Sequence, residues 1–404
     1  MKSSFFKVGH APTLFAAFLY FDLSFMVWVM LGPLGVFIGK DLHLSPAQKG
    51  LMVATPVLAG AILRIVNGVL VDRFGAKAVG IFMQSVVIAG LIGFWLSGIK
   101  TFDHVLALGV VLGVAGASFA IALPLASYWY PPEHQGTALG IAGAGNSGTV
   151  LSSLFAPSIA VLVGWRNVLG TAAIPLLLVL AVFSVLAKNS PKSPQRKSFK
   201  DYFRVLAIDD AWWLMSFYCV TFGGFVGLSS FLPIYFHDQY ALSPVMAGYF
   251  TAACVFTGSL LRPVGGWIAD RVGGLNALSV VYLVVAAALS ALAMGVLRVE
   301  LALVVLAVGM GALGMGNGAV FQLVPQRFGR EVGVMTGLVG MMGGVGGFYL
   351  ASSLGYVKQF TGNFSLGFAA FAGLALAALA GVAFVRGRWR RSWTAQPALA
   401  RVRV

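Results

Sequence analysis

Residues 44–77 read LSPAQKGLMVATPVLAGAILRIVNGVLVDRFGAK. The part from Gln48 to Val71 is largely apolar and long enough to span a bilayer, yet Arg64 lies inside it. A guanidinium in hydrocarbon costs about 3 kcal/mol even on lenient insertion scales, and it cannot escape by losing its proton. Such a charge must face a polar cavity or an anion. Shifting the chain by 198 residues finds the same pattern again. Leu44-Ser45-Pro46 becomes Leu242-Ser243-Pro244, and Gly50, Gly60 and Gly68 become Gly248, Gly258 and Gly266. Leu63-Arg64 becomes Leu261-Arg262 inside Val245–Ile268, and Asp72-Arg73 with Gly75 becomes Asp270-Arg271 with Gly273. Chance does not hold so many Gly, Pro and charged positions in one register. The chain is an internal duplication with the same orientation in each half. Two membrane-embedded arginines at equivalent places point to an anion pathway.

Composition sets the frame for this duplication. Of 404 residues, 59% are hydrophobic and 10% charged, against roughly 25% charged in soluble domains. A ~30 Å hydrocarbon core needs about 20 apolar residues per helix. Twelve such stretches are predicted, at about 12–39, 47–71, 77–98, 104–127, 137–163, 168–187, 211–236, 244–268, 275–297, 300–322, 333–357 and 363–385. The expected fold is an all-α integral membrane protein with two pseudo-symmetric six-helix lobes. Residues 1–189 form the first lobe, 190–208 a cytoplasmic linker, 209–386 the second lobe and 387–404 a basic tail. The first apolar run is too long for a cleaved signal peptide, so it is expected to stay as a helix. The net charge of +15 would suit nucleic acid, but its placement argues for a membrane. With the amino terminus inside, nineteen of the 27 Lys and Arg fall on the cytoplasmic side. Lys40, Lys49, Lys100, Arg166, Arg298 and Lys358 fall outside. The positive-inside rule then puts both termini in the cytoplasm. The basic tail reads as a topology anchor near anionic membrane lipid.

Gly68-x-x-x-Asp72-Arg73-x-Gly75-x-Lys77 resembles the cytoplasmic loop signature of the major facilitator superfamily. Its second copy, Gly266-x-x-x-Asp270-Arg271-x-Gly273, lacks the final basic residue. The glycines allow close packing and a tight turn, and the Asp/Arg pair can clasp helix ends in one conformational state. These residues are expected to gate the cytoplasmic side. A narrower resemblance, over nearly the whole chain, is to the nitrate/nitrite porter family. Besides Arg64 and Arg262, it rests on Gly140-Ile-Ala-Gly143-Ala-Gly145-Asn146-Ser-Gly148 and its lead-in from Gln135. It also rests on Gly337-Leu-Val-Gly340-Met-Met-Gly343-Gly344-Val-Gly346-Gly347.

That resemblance implies a secondary transporter of nitrate and nitrite in the cytoplasmic (inner) membrane, working by alternating access and functional as a monomer. The chemistry fits. Nitrate is small, planar and monoanionic, and a guanidinium fork can bond two of its oxygens in plane. One arginine from each lobe would clamp the ion. Gly143, Gly145, Gly337, Gly340 and Gly343 would remove bulk, so that backbone and the Asn146 amide could approach it. By resemblance, Phe119, Tyr218 and Phe222 would wall its faces. The plainer reading of the glycine-rich spans is close helix packing.

Asp22 is the other embedded charge. At 1.5 Å per residue it lies ~15 Å deep and Arg64 ~12 Å deep. Three roles stay open: a proton carrier for symport, a permanent partner of Arg64, or a hydrogen-bonded core residue. Nitrate/proton symport is favoured over nitrate/nitrite exchange because exchange needs no acid. Transport of another small anion, an anion channel or sensor, and a carrier of bulkier cargo are the alternatives. Gly309-Met-Gly311-Ala-Leu-Gly314 fits a dinucleotide pattern but lies in an apolar span without a preceding strand. The sequence has no P-loop, metal-ligand spacing or nucleophile–base set, so it predicts neither an enzyme nor a cofactor. Cys219 and Cys254 read as small core residues.

Overall fold

The computed structural model describes residues 8–190, 199–329 and 331–394. Lys2, Lys7, Lys192, Arg196, Lys197, Arg330, Arg401 and Arg403, which weigh in the charge asymmetry, lie outside the described residues. Among those described, every regular element is a helix. Twelve helices are long and apolar enough to cross a membrane. They are α1 Ala11–Trp28, α2 Pro46–Phe74, α3 Ala76–Ser97, α4 Phe102–Ser127, α5 Ala138–Val163 and α6 Trp165–Leu186. The second set is α7 Asp209–Tyr240, α8 Pro244–Val272, α9 Gly274–Ala293, α10 Val299–Arg327, α11 Val332–Thr361 and α12 Ser365–Trp389.

The duplicated residues build duplicated joints. Ser45 caps α2 by accepting from the Gln48 amide at 3.3 Å, and Gln48 Oε1 accepts from the Ser45 amide at 2.9 Å. With Pro46 at the first helical position this is a full capping box. Ser243 caps α8 in the same way, accepting from the Met246 amide at 3.2 Å. At their far ends both helices turn on a glycine in left-handed backbone, Gly75 at φ +85° and Gly273 at φ +92°. An L side chain is strained there.

Three spans depart from the expected continuous helix, α5 by passing through a 3-10 turn at Ala144–Ser147. The stretch 12–39 divides: α1 stops at Trp28, and a short helix, Gly35–Asp41, follows a series of turns. Pro33 cannot donate to a helical ladder, and Gly32 lies against the Ser230 carbonyl of α7, leaving no room for a Cβ. In α4 the ladder breaks between Gly116 and Phe119. There the Ala120 amide bonds the Ala117 carbonyl at 3.1 Å instead of that of Gly116. The Gly116 carbonyl is thereby left for another donor.

α7 is the most enclosed span, with 94% of its apolar window buried against 39–67% elsewhere. The halves meet chiefly where α2 packs on α11 and α5 on α8. Small residues set these distances: a Cβ on Gly50 would lie 2.9 Å from the Gly355 Cα, and one on Gly248 would lie 2.9 Å from Pro157 Cγ. At the Lys49 end the contact is sealed by the Lys49–Asp238 ion pair at 3.1 Å. Beside it the Ala47 amide donates to Gln359 Oε1 at 3.1 Å. At the opposite end Tyr202, on the short helix Phe199–Leu206, stands between α2 and α11. Cβ atoms placed on Gly68 and Gly337 would lie 2.7 Å from its hydroxyl oxygen and 3.5 Å from its Cε1.

The second half is stapled by a buried carboxylate. Asp210 accepts from Arg327 Nε at 2.6 Å, Arg388 Nη2 at 2.8 Å and Trp389 Nε1 at 2.7 Å, tying α7 to α10 and α12. Removing one member of such a buried cluster leaves the others uncompensated, at a cost of about 3 kcal/mol. Asp210→Ala is therefore expected to lower the thermal unfolding midpoint in detergent by several degrees. An unchanged midpoint would show that the staple carries no stability.

Candidate functional site

Arg64 is 1% exposed, so its donors must find acceptors inside the protein. The break in α4 supplies one: Arg64 Nε donates to the Gly116 carbonyl at 3.3 Å. The other half of the chain supplies the second, with Nη1 donating to the Gly340 carbonyl of α11 at 2.6 Å. Nη2 is buried without a partner. The fork expected to meet an ion in plane thus has two of its three nitrogens engaged by backbone, and its free donor is Nη2. Gly340 acts here through its carbonyl; a Cβ on it would lie 3.3 Å from Arg64 Nη1.

Aromatic faces surround this guanidinium. Its central carbon lies 5.4 Å from the ring centre of Trp28, 5.3 Å from Phe119 and 5.1 Å from Phe222, within cation–π range. Trp28 is fixed by donating its indole N–H to the Pro56 carbonyl at 2.8 Å. Gly116 is small because a Cβ there would collide with the Trp28 ring.

Arg262 is half-buried, and its Nη1 is buried without a partner. Its guanidinium lies 5.7 Å from the Phe321 ring. The two arginines are joined through rings. Phe321 lies 6.0 Å from Phe119 and, edge to face, 5.0 Å from Tyr218. Tyr218 stacks on Phe222 at 5.1 Å with the planes 4° apart. Trp28, Phe119, Tyr218, Phe222 and Phe321 thus form one aromatic box with a guanidinium from each half. Gly343 makes room for it, since a Cβ there would lie 2.7 Å from Tyr218 and 2.8 Å from Phe222.

The other sequence candidates are placed differently. Asn146 lies in a single 3-10 turn of α5, Ala144–Ser147, 1% exposed, with both amide atoms unpartnered. Gly145 is a packing position against α1, where a Cβ would lie 2.9 Å from the Asp22 nitrogen. Around Gly143 there is open space. Gly337 faces Tyr202 and not the box. Asp22 does not pair with Arg64. Its Oδ1 accepts from Ser147 Oγ at 2.7 Å, and the Gly148 amide is its second partner. Of the three roles left open by sequence, the Arg64 pair is thereby removed.

In the loop signature, Gly75 packs on Asn189, whose Oδ1 accepts from the Lys77 amide at 3.0 Å. Burial and the Asp72 charge push the phenols of Tyr128 and Tyr202 up to about 12. Arg73 lies over Phe74. In the second copy Gly266 has only loose contact with Gly318, Asp270 is exposed, and Arg271 lies 3.3 Å above the Trp267 ring.

A family description, Major Facilitator Superfamily, matches residues 14–351. This chain belongs to the major facilitator superfamily. Within it the chain groups with the nitrate/nitrite porters. The nitrite extrusion protein of Bacillus subtilis strain 168 is 36% identical over 361 residues, covering 88% of this chain and 89% of the relative. The probable nitrate/nitrite transporter NarK2 of Mycobacterium tuberculosis H37Rv is 34% identical, covering 84% and 87%. The probable nitrate/nitrite antiporter NarK1 of Thermus thermophilus is 31% identical, covering 85% and 84%. Two solved structures share the fold at low identity. One, a bacterial homolog of the human lysosomal transporter Spinster, inward-facing and occupied, has TM-score 0.69 at 18% identity over 94% of this chain and 97% of that one. The other, the human organic anion transporter MFSD10, has TM-score 0.69 at 14% identity over 92% and 99%. The protein is a multi-pass membrane transporter and not an enzyme.

Sequence reasoning missed Trp28, Phe321 and Ser147. Trp28 had a local signal, six residues after Asp22 on the same span; Phe321 and Ser147 had none beyond helical phase. The crowding at Gly343 gives a test. Gly343→Ala is expected to displace the Tyr218 and Phe222 rings and reduce transport at least about tenfold. Gly373→Ala, with nothing within 4 Å of its Cβ, should leave transport near wild type. Equal activity of the two variants would show that the aromatic box is not used.

Proposed function

We propose that this protein carries nitrate and nitrite across the cytoplasmic membrane by alternating access, with both termini in the cytoplasm. The observation that carries this reading is one aromatic box holding two guanidiniums, one from each half of the chain, each with an unpartnered buried nitrogen. A small planar anion suits that box: it offers in-plane acceptors to the free donors and apolar faces to the rings. A bulky cargo does not suit a site whose walls stand 5–6 Å from the guanidiniums. The names of the related proteins, all nitrate or nitrite carriers, support the same substrate class.

In this reading Arg64, Arg262, Asn146, Phe119, Tyr218 and Phe222 bind the ion, joined by Trp28 and Phe321. Residues 1–189 and 209–386 are the two moving bodies. Gly68, Asp72, Arg73, Gly75, Lys77, Gly266, Asp270 and Arg271 gate the cytoplasmic side. The seal at Lys49, Asp238 and Gln359 closes the outer side. One chain holds a complete pathway and works as a monomer, and its basic carboxy-terminal tail, which runs on beyond the described residues, rests on anionic lipid.

Arg64→Lys tests the substrate site. It keeps the charge but loses the planar fork and at least one of the two carbonyl bonds, so nitrate uptake into proteoliposomes should fall about a hundredfold. Uptake within threefold of wild type would reduce Arg64 to a generic positive charge.

Proton coupling is assigned to Asp22, a buried acid in the same half as Arg64. Exchange of nitrate for nitrite is the second reading. It is favoured by the tie of Asp22 to Ser147 and Gly148, which gives this carboxyl a purely structural use. Asp22→Asn separates them. Symport predicts that uptake driven by an imposed pH gradient is lost while nitrate/nitrite counterflow survives. Retention of gradient-driven uptake would remove Asp22 as the carrier.

A further inference from the structure

The second half contains a polar pair that the aromatic box does not use. Asn317 of α10 is 0% exposed, and neither its Nδ2 nor its Oδ1 has a partner. Thr221 of α7 is also 0% exposed, with its hydroxyl unpartnered. Ser152, Ser230 and Ser259 are likewise buried helical hydroxyls without a partner, whereas others bond their own helix. Thr251 donates to the Ala247 carbonyl at 2.8 Å and Ser229 to Phe225 at 2.6 Å, in the usual back-bond to the preceding turn. Thr221 forgoes it.

Three contacts fix how α10 lies against α7. A Cβ on Gly224 would lie 2.8 Å from Leu313 Cδ2, and one on Gly316 would lie 3.2 Å from Thr221 Cβ. Phe321 meets Tyr218 at 5.0 Å. Gly316 faces Thr221, and the next residue, Asn317, lies on the i+4 stripe between Leu313 and Phe321, one turn from the Phe321–Tyr218 contact. On the neighbouring face Gly318 packs on the Arg262 backbone, and the Arg262 guanidinium reaches toward Phe321. Asn317 is thus flanked by Gly316, against Thr221, and Gly318, against the Arg262 backbone, and Asn317 Nδ2, Thr221 Oγ1 and Arg262 Nη1 are each buried without a partner. Leaving such groups dry is costly, which is why buried polar atoms are nearly always bonded.

We propose that Asn317 and Thr221 are specificity-determining residues, which with Arg262 form a three-donor subsite for a trigonal oxyanion. This rests on the substrate reading above. Nitrate presents an oxygen to each donor. Nitrite has two oxygens and can meet the third donor only with its nitrogen lone pair, a weaker acceptor, and a site built to bond a group discriminates against the ligand that lacks it.

The full-length protein in proteoliposomes provides the test, with KM for nitrate uptake and the inhibition constant of nitrite measured side by side. Asn317→Leu is expected to raise the nitrate KM about tenfold while moving the nitrite constant less than about threefold. Thr221→Val, close to isosteric, should shift the ratio in the same direction by about threefold. An unchanged ratio in both variants overturns the proposal, and so does an equal loss for both ions, which marks a packing role. Should Asn317→Leu be recovered only as aggregate, the ratio in Thr221→Val decides alone. A wild-type protein that moves neither ion overturns the substrate reading and this inference together. A wild-type protein that moves both, with variants of unaltered preference, overturns this inference only.

Discussion

A permanently charged side chain in an apolar interior has to be given hydrogen bonds by something, and much of this structure is arranged around that need at Arg64. The α4 ladder opens at Gly116, so that its carbonyl can turn to the guanidinium. α11 brings a second carbonyl from the other half of the chain at a glycine, where no side chain stands in the way. Trp28 approaches only because Gly60 and Gly116 carry no Cβ. One buried cation thus accounts for a helix break, for three of the glycines and for part of the register between the halves.

The duplication has conserved scaffolding more faithfully than chemistry. Ser45 and Ser243 cap their helices alike, and Gly75 and Gly273 turn alike. The arginines do not match in environment. Arg64 is enclosed and held by two carbonyls, whereas Arg262 is half-buried and borders Phe321. The position 198 residues after Asp22 is Val220, so the second half has no counterpart of Asp22. A carrier needs two bodies of one shape to rock symmetrically, but the ion between them needs unlike surroundings.

The fold was legible because its causes are repetitive. Twelve long apolar runs, a charge asymmetry and two copies of one joint leave few architectures. Arg64, Arg262 and the rings of Phe119, Tyr218 and Phe222 were legible for a different reason, since embedded charge is rare and the family resemblance supplied the rings. What escaped was set by helical phase and by local breaks. Gly145 and Gly337 read like ligand-facing glycines, yet they admit α1 and Tyr202 respectively, because a missing side chain makes room for whichever neighbour is nearest. Phe321 is one of 31 phenylalanines, and nothing in its local sequence marks the face it shares with Arg262. The break in α4 carries no proline at Gly116, so the free carbonyl that holds Arg64 had no advance sign.

The bond from Arg64 to the Gly340 carbonyl has a genetic corollary. Its acceptor belongs to the main chain, so no amino-acid substitution at position 340 removes the carbonyl, whereas a substitution at position 64 removes the guanidinium. Lesions at 340 would act through bulk, displacing the helix or crowding Phe119, and could be relieved by trimming a neighbour. Lesions at 64 have no such remedy. A suppressor search should therefore yield compensating alleles for one end of this bond and none for the other.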